Sequence, residues 1–454
     1  MDATVPPTTA PSSRALRPDG TRARIHPKET NGRYTRLQQW LYPALILFYA
    51  ALPWVPVGGH PAVWIDIPQR RFYLFGLTFN STDFYLVFFI ISGFAFSLVV
   101  LSALVGRVWC GYACPQTVYI DGVYRKLERL VEGTARERQA REQGPWTAER
   151  VARKALKHVL FVLVSLLIAH VFLAYFATAE DVLEMMQRSP LENPTPFAWV
   201  MAITGLLYFN FGWFREQFCL VLCPYGRMQS VLVDRDTVTV GYDALRGEPR
   251  GKLKGEAHGD CVDCRMCVQA CPTGIDIRNG MQMECIACAH CVDACNEVMV
   301  KIGKPTGLIR YDSLAGLEHA KRQFWRPRVY GYIVAGLAGL TALTLAVNHR
   351  KAFEANLLWA QAAPRTVQGE QVVHRMVVHL NSKTAEARTY QLSLDAPEGA
   401  QVILPTPAPT LEPFGSVHLP VMVVTSKTSG GERKVTLHAK DSVTGEVRSA
   451  VLKL

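Results

Sequence analysis

Residues 260–272 read DCVDCRMCVQACP and residues 284–296 read ECIACAHCVDACN. Cys261, Cys264, Cys267 and Cys271 stand before Pro272; Cys285, Cys288, Cys291 and Cys295 repeat the spacing, with Asn296 where a proline would stand. Three cysteines separated by two residues each can wrap one face of an iron–sulfur cube. The fourth lies too far along to close the same cube and serves the other cube of a pair. The spacing therefore assigns Cys261, Cys264, Cys267 and Cys295 to one 4Fe–4S cluster, and Cys285, Cys288, Cys291 and Cys271 to a second. Zinc knuckles are the competing occupants. They need only two closely spaced thiolates each, which leaves the third cysteine and the proline unexplained. His290, inside the second run, is expected to be solvated rather than a ligand.

At 454 residues the chain is long enough for about three domains. It is 49% hydrophobic yet 19% charged, with a net charge of +11, a balance that suits a membrane protein carrying soluble parts. All twelve cysteines fall in four motifs and none lies beyond Cys295, unlike the scattered cysteines of a disulfide-built secreted protein. Oxygen-sensitive clusters place the cysteine runs in a reducing compartment. The Lys and Arg excess sits beside hydrophobic spans, where the positive-inside rule puts it, so nucleic acid is not an expected partner.

Five apolar spans, at 40–57, 84–105, 159–179, 197–214 and 329–347, each approach the roughly 20 residues that cross a bilayer. The first carries Pro43, Pro53 and Pro56 and should be kinked. The segment before it is rich in Arg and Pro, with no apolar run, and reads as a disordered tail. Basic residues fill that tail, the loop from Arg107 to Lys154, and Lys321 to Arg328; the loop after the third span is acidic, with Glu180, Asp181, Glu184 and Glu192. This pattern puts the N-terminus and the cysteine runs in the cytoplasm and the C-terminus outside. From about residue 352 the pattern changes to period two, in runs such as QVVHRMVVHL and SVHLPVMVVT, which reads as a β-sandwich of about 100 residues. His374, His379, His418 and His438 on these strands, and His158 and His170 in the third span, are expected to be structural.

The membrane part has a repeat of its own. Span two ends in WCGYACPQ, with Cys110, Cys114 and Pro115; span four ends in FCLVLCPY, with Cys219, Cys223 and Pro224. On a continuous helix, a spacing of four puts both thiols on one face. Alternatively, each proline opens a new helix and Cys114 and Cys223 lie at helix N-termini, where a thiolate is stabilised. Either arrangement gives a reactive or metal-binding pair, and soft thiolates suit Cu(I). Residues Ile120, Val123, Tyr124, Leu127, Leu130 and Val131 fit the buried face of a helix after Pro115.

Together, CGYACP, CLVLCP, the doubled cysteine run, GLIRY (residues 307–311) and the fifth span resemble the CcoG/FixG/RdxA family of accessory proteins for cbb3-type cytochrome oxidase. The resemblance covers nearly the whole chain after the tail. It implies a multidomain membrane protein: an α-helical bundle of five transmembrane helices, a two-cluster bacterial ferredoxin-like α+β insert and a C-terminal immunoglobulin-like β-sandwich. The expected division is a disordered cytoplasmic tail (1–37), helices one to four with both CxxxCP motifs (38–235), a cytoplasmic ferredoxin-type domain (236–327), helix five (328–350) and a periplasmic sandwich (351–454). It also implies a cupric reductase of the bacterial inner membrane. Cys110, Cys114, Cys219 and Cys223 would be the copper-interacting thiols, with two 4Fe–4S clusters as cofactors and copper as the transient substrate. Expected partners are a cytoplasmic electron donor, a copper transporter or chaperone, oxidase assembly factors and the lipid bilayer, and a homodimer is compatible with the pattern. Two other functions compete. One is a quinol-linked conduit like the NapH and NosR membrane polyferredoxins, against which stand the absent flavin domain and the added sandwich. The other is a non-enzymatic assembly scaffold.

Overall fold

Among the described residues, four helices carry enough apolar length to cross a bilayer: Tyr85–Val105, Ala148–Leu173, Pro194–Phe214 and Pro327–Asn348. They belong to a computed structural model that describes residues 25–80, 83–252, 259–360, 365–368, 370–384, 386–426 and 434–454. The chain divides into two units, Met1–Leu77 with Val87–Thr341, and Thr78–Leu86 with Ala342–Leu454.

The expected first span differs from the sequence reading. Its helix runs over Arg33–Ala51 and contains Pro43, so Pro53 and Pro56 lie beyond its end. It falls short of the apolar length of the other four, and the count that composition supports is therefore four. The expected tail also changes. Residues 1–24 lie outside the described residues. From residue 25 the chain lies on the cysteine-rich module: the Lys28 amide donates to the Gln269 carbonyl at 2.7 Å, and the Thr35 amide and hydroxyl both donate to Asp293 at 2.8 Å. Helix formation thus begins at Arg33 rather than near 38.

Both CxxxCP motifs break their helices. Cys114 and Cys223 have extended backbone and cap new helices in which Pro115 and Pro224 occupy the first turn. Proline needs no amide partner there, and its fixed φ suits the position. Wider π turns occupy Ile120–Tyr124, Tyr208–Phe214 and Phe218–Leu222, the last holding Cys219. Such turns collect at functional sites.

The cysteine-rich module pairs strand Thr239–Tyr242 antiparallel with Ile309–Asp312 and sets the helices Met266–Ala270 and His290–Lys301 behind the two runs. Its core joins Val268, Ile275, Ile277, Val292, Met299 and Leu308 to the cysteines.

In the second unit, the alternating pattern becomes a two-sheet sandwich. One sheet orders its strands Gln401–Ile403, Ser416–Ser426, Gln371–Ser382, Phe353–Trp359; the other orders Thr410–Leu411, Arg388–Asp395, Lys434–Asp441, Val447–Lys453. Phe353, Val378, Leu380, Tyr390, Val423, Val435 and Leu437 are fully buried between them, each worth roughly 1.5–3 kcal/mol of burial for the aliphatic and Phe side chains. Of the sandwich histidines, His374 is buried against the Thr425 hydroxyl at 3.0 Å, His379 stacks on His418 with ring centroids 4.3 Å apart, and His438 meets Ser449 at 2.7 Å.

Asp83 is fully buried in this unit. It accepts from Lys383 at 2.6 Å and Arg350 at 2.7 Å, and Lys383 also pairs with Glu354 at 2.7 Å. Burial opposes ionisation of Asp83, but the hydrogen bonds from Lys383 and Arg350 hold its carboxyl below the usual range. A depressed carboxylate contributes stability above its unfolded pKa, and that stability is lost as pH falls through its folded value. Lys383→Met strands Asp83 with one cation fewer. It is expected to cost about 3–5 kcal/mol in thermal or denaturant unfolding of the full chain and to flatten the acid limb of stability. An unchanged transition with an unchanged acid limb would contradict this role.

Candidate metal centres

The eight cysteines of the two runs ring two separate cavities. One is lined by Cys261, Cys264, Cys267 and Cys295; the other by Cys271, Cys285, Cys288 and Cys291, with Cys267 on the shared wall. Each cavity thus takes three thiols from one run and the fourth from the other. Among the described residues, no three His, Cys, Asp or Glu side chains, the four CxxxCP cysteines included, close on a point suited to a single ion. The thiols surround a space instead, which is what a four-iron cube requires.

The backbone fits such a group as well. Asp263 and Arg265 flank Cys264 with φ of 51° and 56°; Ala287 and Ala289 flank Cys288 with φ of 54° and 63°. Left-handed backbone at a residue with a side chain costs of order 1–3 kcal/mol and persists where the surroundings impose it. Alternating hands turn successive amides inward into an anion-binding concavity, a feature of many iron–sulfur sites. Burial pushes the thiols of Cys267 and Cys295 up to about 12 and that of Cys285 up to about 11, and lifts Cys288 and Cys291 well above the usual value. Thiolates in these cavities therefore call for positive charge, and iron supplies it. Cys264 is exposed, whereas Cys288 is buried.

The four CxxxCP thiols lie within mutual electrostatic reach. Burial first, and after it the sulfurs of Cys114, Cys110 and Cys223, push the Cys219 thiol well above its usual value; burial and Cys114 push Cys110 up to about 11. At Cys114 burial, which raises the thiol, outweighs the backbone amides of Gln116 and Thr117, which favour the thiolate. Gln229 is fully buried with its amide 3.6–3.7 Å from Cys110 Sγ, and its Nε2 donates to Ser102 Oγ at 3.4 Å. Arg107 donates to the Gly226 carbonyl and so joins the two motifs, as does Gln116, which donates to Asn210 and to the Arg215 carbonyl, both at 3.1 Å.

The two kinds of cysteine site touch. A Cβ placed on Gly111, next to Cys110, would lie 2.7 Å from the Ile286 carbonyl oxygen, 2.9 Å from that of Ala287 and 2.9 Å from Cys288 Cα. The CGYACP loop is therefore packed backbone to backbone on the middle of the second cysteine run. Gln38, 2% exposed, clamps the contact. Its Nε2 donates to the Gly111 carbonyl at 3.1 Å and the Cys288 carbonyl at 3.0 Å, and its Oε1 meets His290 Nε2 at 2.7 Å. Tyr42 Oη donates to the Gly111 carbonyl at 2.7 Å. Tyr311, from GLIRY, donates to the Ala287 carbonyl and lies 3.2 Å from the Tyr112 hydroxyl. Arg125 binds Asp121 and Glu216 and donates to the Pro272 carbonyl at 3.2 Å.

Three readings of single residues change here. His290 is held by Gln38 rather than solvated. Asn296, in the place of a proline, accepts the Gly307 amide at 2.9 Å and so anchors the GLIRY turn. Leu130 is 78% exposed although the pattern after Pro115 put it on the buried face. His158 and His170 do act structurally, on the Tyr208 hydroxyl at 3.0 Å and the Leu166 carbonyl at 2.8 Å. Gln38, Tyr42 and Arg125 were not legible as site residues, because their partners lie far away in sequence; charge or amide type in an otherwise helical pattern was their only mark.

Residues 214–314 match the 4Fe-4S dicluster domain family, and residues 86–132 match the 4Fe-4S binding domain family. Protein RdxA of Cereibacter sphaeroides is 33% identical over 423 residues, which cover 88% of this chain and 87% of the relative. The chain belongs to the FixG/RdxA family. Protein RdxB of the same organism is 36% identical over 85% of each chain. The nitrogen fixation protein FixG of Rhizobium meliloti is 37% identical over 306 residues, 65% of this chain and 58% of that one. This FixG/RdxA protein is thus a membrane protein with iron–sulfur domains.

Proposed function

We propose that this FixG/RdxA protein reduces Cu(II) to Cu(I) at the four CxxxCP thiols, in support of copper-centre assembly in a cbb3-type oxidase. The observation that carries the reading is the seating of Gly111 on the backbone of Ile286–Cys288, one covalent step from Cys110. Bound by the eight run cysteines, 4Fe–4S clusters would supply single electrons, and their range of roughly −700 to +450 mV makes the reduction accessible. The residues of the chain do the rest. Gln38 and Tyr42 fix the distance between the second run and the thiol site, Cys110, Cys114, Cys219 and Cys223 offer soft sulfur that favours Cu(I), and Gln229 orients Cys110. The exposed Cys264 marks the side for a cytoplasmic donor, and Cu(I) would pass to a transporter or chaperone.

The course of the N-terminal helix supports a fifth crossing. Gln38 near its start lies at the second run, while Tyr49 near its end stacks on Tyr175 at 5.3 Å, just past the far end of the Ala148–Leu173 helix. Nineteen residues rise about 28 Å, close to the hydrocarbon thickness. With five crossings the clusters would face the cytoplasm and the sandwich, read as immunoglobulin-like, the periplasm.

A second reading has its own support. The 86–132 match to the 4Fe-4S binding domain family contains Cys110 and Cys114, and four thiols near one another are the ligand number of a third cluster. Anaerobic iron and sulfide analysis separates the two, since the copper site predicts about eight irons per chain and a third cluster about twelve. Substitution of Cys271 by Ser should remove one spectroscopic cluster and leave the other. Gln38→Leu should lose three hydrogen bonds worth about 0.5–1.5 kcal/mol each, keep both clusters and slow Cu(II) reduction several-fold. An unchanged rate would take Gln38 out of the coupling.

A further inference from the structure

One cavity is lined by no cysteine. It has a volume of about 420 Å3 and sits where the basic first turns of Ala148–Leu173 meet the aromatic π turns Tyr208–Phe214 that end the neighbouring apolar helix. Its wall carries seven Lys or Arg against four Glu, a surplus of three positive charges.

The carboxylates are already engaged, three by cations or histidine of the wall and Glu216 by Arg125 outside it. Glu128 takes Arg215 at 2.6 Å and Arg138 at 3.1 Å, Glu132 takes Lys157 at 2.9 Å, Glu142 takes His26 at 2.8 Å and Glu216 takes Arg125. The guanidinium of Arg150 meets carbonyls of Glu142, Gly144 and Pro145, and that of Arg141 meets the Glu132 carbonyl. These contacts neutralise no charge, whereas Arg153 pairs with Glu149 at 2.8 Å outside the wall. Arg150 and Lys154 of the wall lie 4.4 and 4.5 Å over the ring of Trp146, which is 69% exposed. The wall also has an apolar part: Phe209 and Trp213, about half exposed, pack with ring centroids 5.2 Å apart at the end of an apolar helix long enough to cross a bilayer.

We propose that this cavity binds the phosphate headgroup of an anionic phospholipid, with the phosphate among the basic residues of the Ala148–Leu173 helix and the acyl chains running along Phe209 and Trp213. Three features agree on this occupant. Basic pockets between transmembrane helices bind anionic headgroups. Tryptophans mark the level of the water–hydrocarbon boundary. The apolar part of the wall gives a diacyl ligand an advantage over free phosphate. No cysteine lines the cavity, and the proposal does not rest on the copper reading.

Native mass spectrometry of the detergent-purified full-length protein tests this, with phosphatidylglycerol, phosphatidylcholine and inorganic phosphate as separate probes. Phosphatidylglycerol is expected to bind at least tenfold more tightly than phosphatidylcholine. The pair Arg153→Gln and Lys154→Gln should remove that preference, and Arg153→Lys with Lys154→Arg should restore it. Circular dichroism checks that the variants fold. Equal binding of both lipids, or a preference that survives the charge removal in a folded variant, overturns the proposal. Displacement of the lipid by millimolar inorganic phosphate alone would show a free-anion site and overturn it too.

Discussion

Replacing Cys110 and Cys219 together by serine is expected to abolish Cu(II) reduction while both iron–sulfur clusters remain. One thiol leaves each motif, and each is replaced by a harder oxygen that holds Cu(I) poorly. Even changes in residues that only orient metal ligands cost about 10- to 100-fold, so loss of two sulfurs should exceed 100-fold. The substitution is nearly isosteric, and Cys110 touches the buried amide of Gln229, which can donate to a serine hydroxyl as well. Folding should therefore survive. Cu(I) trapped by a chelating dye under anaerobic conditions, together with cluster absorbance and iron content, reads both halves of the prediction. Reduction at an undiminished rate would move the chemistry away from these thiols.

Gly111→Val should uncouple the two centres without touching a cysteine. Any side chain at this position would stand under 3 Å from two carbonyl oxygens and an α-carbon of the second run. Backbone atoms on both sides cannot rotate away, so the CGYACP loop must lift off the run. Overpacking of this kind costs about 1–3 kcal/mol, enough to open the contact without unfolding a membrane bundle. Gln38 and Tyr42 would lose their shared acceptor at the same stroke. The variant should keep its iron and its copper affinity, measured by competition with a Cu(I) chelator, while the rate of electron delivery to copper falls at least tenfold. A normal rate would show that electrons do not cross at Gly111.

The cysteine runs, the apolar helices and the alternating strands were readable because each depends on local spacing. Period two in SVHLPVMVVT returns as alternate burial of Leu419, Val421 and Val423. The prolines of CxxxCP allowed two geometries, and the helix-opening one holds because Pro115 and Pro224 cannot continue the preceding hydrogen-bond ladder. Leu130 is exposed because, at about 100° per residue on the regular helix Arg125–Glu132, it lies roughly 240° around from Tyr124 and off the face that buries Tyr124 and Val131. The start of the N-terminal helix was missed because RYTRLQQ is polar. Its helix is stabilised by the cysteine-rich module, through Thr35 and Gln38, rather than by hydrocarbon. The seating of Gly111 on Cys288 spans 177 positions of sequence, and no local pattern encodes such a contact.

The most direct measurement mixes anaerobically pre-reduced, cluster-loaded protein with Cu(II) and follows cluster reoxidation and Cu(I) formation together in a stopped-flow cell. Two one-electron clusters should yield about two Cu(I) per chain at matching rates, with Gly111→Val slowing both signals and leaving the final yield unchanged. Clusters that reoxidise without forming Cu(I), or Cu(I) that forms equally fast from protein lacking the eight run cysteines, would contradict the account.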